Sequence, residues 1–321
     1  MIPEESQPDR TLLYPATPLQ QGMLFHALRS PGDGTDVEQM VCVFREELDA
    51  SSLRQAWGRV VERHEALRSA FAWTADGQCT QHIQPAVEVP WAELDWETVP
   101  EEDIPERTGR LLSEDRRRGF DMTHAPLIRL RLITMGKGRF QLVWTFHHAI
   151  LDGRSFPIIL KEVFYFYAEF REGRRYELPK PRPFHDFTEW LQRQDFKRAE
   201  AYWRNLLSGF SAPTPLTVDN IPGTERSNGE RQGNANISVP SHVTSQLQRF
   251  AHDAGLTLGT LVQGAWAILL SRYSGERDVV FGAVRACRKS TIEGAEDMVG
   301  LFINTLPLRL RVDPDLCPGN G

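Results

Sequence analysis

The sequence is poor in the residues and runs that mark several classes of protein. Its 321 residues include only four cysteines, too far apart for a zinc cluster or a disulfide framework: Cys42, Cys79, Cys287 and Cys317. No apolar run reaches the roughly 18 residues of a membrane-spanning helix. The opening MIPEESQPDR lacks the apolar stretch of a secretory signal. These absences predict a reduced, cytoplasmic protein with no metal site and no membrane partner.

An excess of positive charge is also missing. Lys and Arg total 37 against 43 Asp and Glu, which gives a formal net charge of −6. A protein that binds nucleic acid needs a basic footprint, because its lysines and arginines neutralise phosphates. The charge balance therefore argues against nucleic acid as a partner, and equally against an anionic membrane surface.

The composition that is present is that of a folded globular protein, with 40% hydrophobic and 25% charged residues. The length predicts roughly two domains. Residues 209–233 are rich in Pro, Gly, Asn, Ser and Thr and have no hydrophobic periodicity, which indicates a linker. We therefore expect an N-terminal lobe over residues 1–208 and a C-terminal lobe over residues 234–321.

Helix and strand signals are mixed along the chain and predict an α/β (α+β) fold. Thr17 marks a helix start, and the Asp-Gly pair at 76–77 predicts a hairpin. An alternating strand over 139–147 leads to a helix that begins after Gly153. A single long helix is predicted over 186–207, and a short strand followed by two helices is predicted after the linker.

The densest chemistry lies where the strand over 139–147 gives way to a helix. The strand ends in His147 and His148, and Asp152 and Gly153 precede the helix. Neighbouring strand residues point to opposite faces, so one histidine can enter a pocket while the other packs inward. Two ligands on opposite faces cannot share a metal ion, and histidine is the natural proton-handling group near neutral pH.

No nucleophile accompanies these histidines, since the chain has no G-x-S-x-G elbow and no cysteine beside a histidine. The pattern therefore favours acid–base or positioning chemistry on two bound substrates, without a covalent enzyme intermediate. A purely structural role for a buried histidine is the alternative. For Asp152 we favour the structural role, because a buried carboxylate needs a partner such as an arginine.

Five motifs in order carry a resemblance to one family. His147-His148-x-x-x-Asp152-Gly153 resembles the H-H-x-x-x-D-G signature of condensation domains of non-ribosomal peptide synthetases. Epimerization domains and related acyltransferases share this signature. Four further stretches are similar to family motifs, and the similarity extends from residue 14 to about residue 315: 17–26, 63–71, 184–190 and 299–309.

The resemblance implies a two-lobed, chloramphenicol-acetyltransferase-like fold with a tunnel between the lobes. It implies peptide-bond formation between a carrier-bound acyl or peptidyl thioester and a carrier-bound aminoacyl acceptor. No cofactor would be bound by the domain itself, because the substrates are carried on the phosphopantetheine of carrier proteins. The expected partners are those carrier proteins and the neighbouring synthetase modules.

The resemblance also implies roles for individual residues. His148 would be the catalytic histidine, supported by His147. Asp152 would be structural, with Arg288 as its ionic partner, although the family usually has S-G-R where this chain has Ala286-Cys287-Arg288. Gly153 would follow Asp152 beside a helix start, where its N–H could assist an oxyanion. Two residues of the fifth motif would lie near the lobe interface and the tunnel: Asn304 and Thr305.

The wording of the motifs bears on the subclass. Residues 19–26 lean toward domains that accept a D-configured donor, and residues 300–309 favour condensation over epimerization. A heterocyclization domain would replace the two histidines with aspartate. Family members continue past the fifth motif, whereas this chain closes on residues 312–321, so we expect a C-terminally truncated chain whose second lobe is incomplete and exposes apolar surface.

Two other functions remain open from the sequence. One is a stand-alone acyltransferase that uses a free amine or alcohol as acceptor. The other is an inactive remnant that docks carrier proteins.

Overall fold

A computed structural model describes residues 12–173, 175, 177–216, 235–289 and 291–313. The contacts within it define two compact units. The first contains the residues up to Gln194 together with Arg285–Asn304, and the second contains Asp195–Val284 and the residues from Thr305 onward. Helices and strands occur together throughout, so the predicted mixed α/β class is confirmed.

The first unit is built around a four-stranded sheet. Its strand order is β2 (Val37–Phe44), β7 (Phe140–His147), β6 (Ile128–Thr134) and β5 (Trp91–Asp95). The β2–β7 and β6–β7 pairs are antiparallel, and β5–β6 is parallel. Seven of the eight residues of β7 are buried, since this central strand is covered on both faces. The strand that ends in the two histidines is therefore held rigidly on both sides.

A smaller antiparallel sheet lies in the same unit. Its order is β1 (Leu12–Pro15), β4 (Cys79–Ile83) and β3 (Ser69–Trp73). The predicted hairpin is present, with Trp73 opposite Cys79. Buried polar side chains, Ser69 and Gln81, lie on this hairpin and are fully enclosed.

The helices of the first unit are α1 (Pro18–Arg29), α2 (Ala50–Arg63), α3 (Ile104–Arg118), α4 (Ser155–Glu172) and α5 (His185–Gln192). Thr17 caps α1 through the capping box that the sequence predicts, with Gln20 as the reciprocal partner. The apolar face of α2 is completely buried, and Trp57 packs edge-on to Trp144 with ring centroids 5.0 Å apart.

An ion-pair cluster fastens α2 to α4, the helix that follows the two histidines. Glu162 lies 2.9 Å from Arg63 Nε and 2.9 Å from His64 Nε2. Burial alone would raise the pKa of Glu162, but hydrogen bonds from His64 and Arg63 lower the pKa below its usual value. His64 is thus a packed, paired residue at the end of α2.

The second unit contains α6 (Phe196–Leu206), α7 (Ser241–Asp253) and α8 (Leu258–Ser274). Strands β8 (Asp278–Ala286) and β9 (Ile303–Arg311) form a two-stranded sheet, and each strand crosses the boundary between the units. The buried cluster of the second unit is small, formed by Ala267, Leu270 and Val279. Large apolar side chains are exposed on α7 and α8: Phe250, Val262, Trp266, Ile268 and Leu269.

Among the described helices, none alone has the length and hydropathy needed to cross a bilayer. The pair α7 and α8 meets the length and composition test only when taken together, and the two are bent by 98°.

Two sequence predictions about this region are wrong. The single helix over 186–207 is two helices, because the Asp195 carboxylate accepts hydrogen bonds from the N–H groups of Lys197 and Arg198 and starts α6 anew. The short strand after the linker is absent, since residues 235–240 have no regular structure. Most of the predicted linker, 217–233, lies outside the described residues, and the division at 208 and 234 stays a prediction.

Candidate active site

The two histidines lie where β7 passes into a single 3-10 turn, His148–Ile150, ahead of α4. Backbone hydrogen bonds fix each of them. The His147 N–H donates to the Leu127 carbonyl at 3.0 Å, and the His148 N–H donates to the Asp36 carbonyl at 2.8 Å. Leu127 and Asp36 immediately precede β6 and β2, so the two strands that flank β7 hold the two histidines from opposite sides.

His147 is a buried, neutral residue. Its side chain is within the core region of the first unit, only 3% exposed, and Nδ1 accepts the Ala149 N–H at 3.1 Å. Because Nδ1 accepts, the hydrogen of the neutral ring is on Nε2. Burial, reinforced by the neighbouring His148, lowers the pKa of His147 to about 4. His147 therefore carries no charge at neutral pH and shapes the turn.

His148 has the opposite arrangement and is partly exposed. Its Nδ1 lies 2.7 Å from the Leu151 carbonyl oxygen. A carbonyl can only accept, so Nδ1 carries the hydrogen and Nε2 of the neutral ring has a lone pair. Within the described part of the chain, no residue hydrogen-bonds to this Nε2. The ring is thus fixed in orientation and offers one free basic nitrogen.

The carboxyl group of Asp36 lies near this ring and that of His26. Burial raises the pKa of Asp36 above its usual value, and the electrostatic influence of His26 and His148 opposes that shift.

Asp152 is completely buried and fully hydrogen-bonded. Its Oδ1 accepts from the backbone N–H groups of Arg154 and Ser155, at 3.1 and 3.2 Å, and from the Ser155 hydroxyl at 3.2 Å. Its Oδ2 accepts the Phe302 N–H at 3.0 Å. The carboxylate therefore closes the turn before α4 and also holds a segment from far along the chain.

Arg288 is the ionic partner of Asp152 in the structure. Its Nη2 lies 2.6 Å from Asp152 Oδ1, and the two side chains are 2% and 0% exposed. Nη1 donates to the carbonyls of Ala295 and Met298, at 2.7 and 2.6 Å. The guanidinium also lies 4.2 Å from the centre of the Phe302 ring. This clamp explains why residues 285–304 belong to the first unit.

Two site residues were not identified from the sequence. The Ser155 hydroxyl lies within 3.0–3.2 Å of the Gly300 carbonyl, the Gly300 N–H, Arg288 Nη2 and Asp152 Oδ1. Gln20, interpreted only as a capping residue, also donates to the Ala149 carbonyl in the turn. A signal was present in both cases, because each polar residue lies at a helix start within or beside a motif.

The remaining predicted residues have looser surroundings. Gly153 is exposed, and a Cβ added there would meet nothing within 4 Å. Asn304 and Thr305 are exposed on β9. Neither forms a hydrogen bond to His148, so a role in contacting substrate stays a prediction for these three residues.

The described residues contain no cluster of three or more His, Cys, Asp or Glu side chains that could hold a metal ion. The chemistry available at the turn is that of one oriented imidazole with a free Nε2.

Comparison with known families decides the assignment, because a family model described as "Condensation domain" matches residues 11–316. The chain belongs to the condensation-domain family. The resemblance read from the five motifs is therefore confirmed at the level of the family.

Relatives of this condensation domain are multi-module non-ribosomal peptide synthetases. A linear gramicidin synthase of Brevibacillus parabrevis is 39% identical over 313 residues, which cover 97% of this chain and 4% of that protein. Bacitracin synthase 3 of Bacillus licheniformis is 33% identical over 304 residues, covering 94% of this chain and 5% of that protein. The chain thus spans a small fraction of the length of these relatives.

A solved structure supports the fold of the condensation domain. The first condensation domain of the calcium-dependent antibiotic synthetase, in complex with a substrate analogue, matches with a TM-score of 0.76 at 24% identity. The match covers 94% of this chain and 71% of that one. The chloramphenicol-acetyltransferase-like fold expected from the motifs is confirmed.

Proposed function

We propose that this condensation domain forms an amide bond between two carrier-bound substrates, with His148 as the catalytic residue. The donor is an acyl or peptidyl thioester, and the acceptor is an aminoacyl group with a free amine. The observation that carries the proposal is the His148 Nδ1–H bond to the Leu151 carbonyl, because it leaves the Nε2 lone pair free to accept a proton.

In the proposed reaction the amine nitrogen attacks the thioester carbonyl carbon. The carbon–nitrogen bond forms, the carbon–sulfur bond breaks, and the amine proton passes by way of Nε2 to the leaving thiolate. A free α-amine titrates near pH ~8, and only its neutral form attacks. A ring that accepts a hydrogen bond from the amine would hold this neutral form in line with the carbonyl, which is the larger contribution where both reactants are tethered.

The supporting residues have separate proposed roles. His147, Asp152 and Arg288 hold the turn and the segment packed on it, as their hydrogen bonds and burial support. The Gly153 N–H is proposed to assist the oxyanion, because this exposed residue makes no hydrogen bond within the described chain. Asn304 and Thr305 are proposed to contact substrate.

The proposed partners are two carrier proteins, each presenting its substrate on a phosphopantetheine arm, in the cytoplasm. Relatives that are multi-module synthetases support neighbouring modules as the source of these carriers. No cofactor is required by the proposed step, because a thioester and an amine carry all the atoms of the amide.

A direct test follows product formation by mass spectrometry with two loaded carrier proteins. We would use acetyl-D-phenylalanyl and acetyl-L-phenylalanyl donors with a leucyl acceptor. His148→Ala is expected to lower the rate by about 10²-fold or more while the unfolding midpoint is unchanged. His124→Ala is the matched control, because that histidine is 80% exposed and far along the chain from the turn.

Turnover by His148→Ala equal to that of the natural chain would refute the catalytic role. Absence of product from the natural chain with both donors, while it still binds the loaded carriers, would favour the carrier-docking remnant. Product from a free leucine ester without an acceptor carrier would favour the stand-alone acyltransferase. A preference for the D-configured donor would support the subclass that residues 19–26 indicate.

A further inference from the structure

A row of buried polar side chains runs from β3 through β4 and α1 to the turn that carries His148. We call it the polar row, and it consists of Ser69, Gln81 and Gln20. All three residues are 0% exposed. Buried amides of this kind destabilise a protein unless they are hydrogen-bonded, so each bond in the row is informative.

The hydrogen bonds of the polar row are continuous. The Ser69 hydroxyl donates to the Glu65 carbonyl at 3.1 Å and accepts from Gln81 Nε2 at 2.6 Å. Gln81 Oε1 accepts from Gln20 Nε2 at 3.1 Å. The row thus connects a rigid hairpin to the side-chain amide of Gln20.

Gln20 uses all of its donor capacity. Its Oε1 accepts the Thr17 N–H at 2.8 Å, which completes the cap of α1. One Nε2 hydrogen goes to Gln81, and the other goes to the Ala149 carbonyl at 2.9 Å. A capping residue needs only the first of these bonds. The donor to Ala149 therefore serves the turn and not the helix start.

The contact at Ala149 determines the shape of the turn around His148. His147 Nδ1 accepts the Ala149 N–H, and Gln20 donates to the Ala149 carbonyl, so this residue is held on both sides. Leu151, whose carbonyl accepts the His148 Nδ1–H, lies two residues further on. Any shift at Ala149 moves the acceptor that selects the tautomer of His148.

We propose that Gln20 is a positioning residue for His148. Its donor hydrogen bond to Ala149 keeps the Leu151 carbonyl in place, so that His148 holds its hydrogen on Nδ1 and its lone pair on Nε2. The inference rests on the proposed catalytic role of His148 for its effect on rate. Its effect on the tautomer of His148 is independent of activity.

The test compares Gln20→Met with Gln81→Met in the full chain. Both substitutions remove one buried amide of similar size from the polar row. Gln20→Met removes the donor to Ala149, whereas Gln81→Met leaves that donor in place. We expect kcat to fall about ten- to a hundredfold for Gln20→Met with little change in KM, and less than about threefold for Gln81→Met. Urea unfolding of both variants measures the shared loss of stability.

A spectroscopic measurement separates positioning from loss of stability. Nitrogen-15 spectra of imidazole-labelled protein report which ring nitrogen of His148 carries the hydrogen, and His148→Ala assigns the signal. The natural chain and Gln81→Met should show hydrogen on Nδ1. Gln20→Met should show a mixture of tautomers. Gln20→Glu keeps the acceptor for the Thr17 N–H but has no donor for Ala149, so it should behave as Gln20→Met and serves if Gln20→Met does not fold.

The outcomes distinguish the two proposals. A folded Gln20 variant with natural kcat and an unchanged His148 spectrum, beside an inactive His148→Ala, overturns the role of Gln20 alone. Full activity of His148→Ala overturns the proposed function, and the spectrum then decides the role of Gln20 without reference to rate. Equal losses of kcat in Gln20→Met and Gln81→Met also overturn the role of Gln20, because they would follow stability alone.

Discussion

The Arg288 guanidinium is the connection most open to a quantitative test. Replacing it in Arg288→Met leaves a buried carboxylate without its counter-charge, since Asp152 is 0% exposed and the pair is 2.6 Å apart. Removing one partner of a buried pair costs about 3–5 kcal/mol. Four other donors stay on Asp152, which places the expected loss near the lower limit. We predict that Arg288→Met lowers the free energy of unfolding by about 3 kcal/mol.

Equilibrium urea unfolding followed by tryptophan fluorescence measures this loss. Asp152→Asn and the double variant complete a cycle, whose coupling should be about 2–3 kcal/mol because both single changes break the same pair. Arg193→Met is the control, since its ion pair with Glu189 is 76% and 56% exposed and should change stability by less than about 1 kcal/mol. A loss for Arg288→Met no larger than this control would refute the reasoning, and would show that backbone donors alone hold Asp152.

Three further predictions follow from individual contacts. Since the folded-state pKa of His147 is about 4 and its unfolded value is near 6.5, the unfolded chain takes the proton first as pH falls; stability should drop by about 1.5 kcal/mol between pH 6.5 and 5, and His147→Asn should flatten that part of the urea-midpoint profile. Gly300→Ala should cost about 3 kcal/mol, because its Cβ would overlap the Phe184 ring; a natural midpoint would contradict this. Gly153→Ala should keep its stability within about 0.5 kcal/mol, as its Cβ meets nothing, so a lowered kcat would indicate contact with substrate.

The elements that the sequence predicts well are those with strong local signals. Thr17 caps α1 as its capping box requires, because both bonds of that motif lie within four residues. The hairpin of β3 and β4 has its turn at the Asp-Gly pair, and α4 begins two residues after Gly153. In each case the residues that decide the structure are neighbours along the chain.

Elements that depend on distant partners could not be predicted in the same way. Strand β2 is defined by pairing with β7, where Val37 lies opposite His147. Strand β5 pairs in parallel with β6 and has only Trp91 and Leu94 as apolar signals beyond one alanine. Strand preference reflects such neighbours more than the residue itself. Neither strand is therefore predicted by its own residues.

The site divides along the same line. His147, His148 and Asp152 stand together in the sequence, so their motif could be found directly. Arg288 is 136 residues from Asp152, and only the family resemblance indicated the pair. The bond from Gln20 to Ala149 spans 129 residues and has no signature of its own, because the cap of α1 already accounts for a glutamine there.

The two adjacent histidines show why a motif alone does not assign a role. His147 Nδ1 accepts a hydrogen bond from a backbone N–H, and His148 Nδ1 donates one to a backbone carbonyl. The same side chain therefore holds opposite tautomers at neighbouring positions, one buried and one partly exposed. Ala149 lies within the 3-10 turn that begins at His148, and Leu151 caps its end. The turn selects which histidine offers a free Nε2, and a substitution that unwinds it would abolish that difference while leaving every letter of the motif in place.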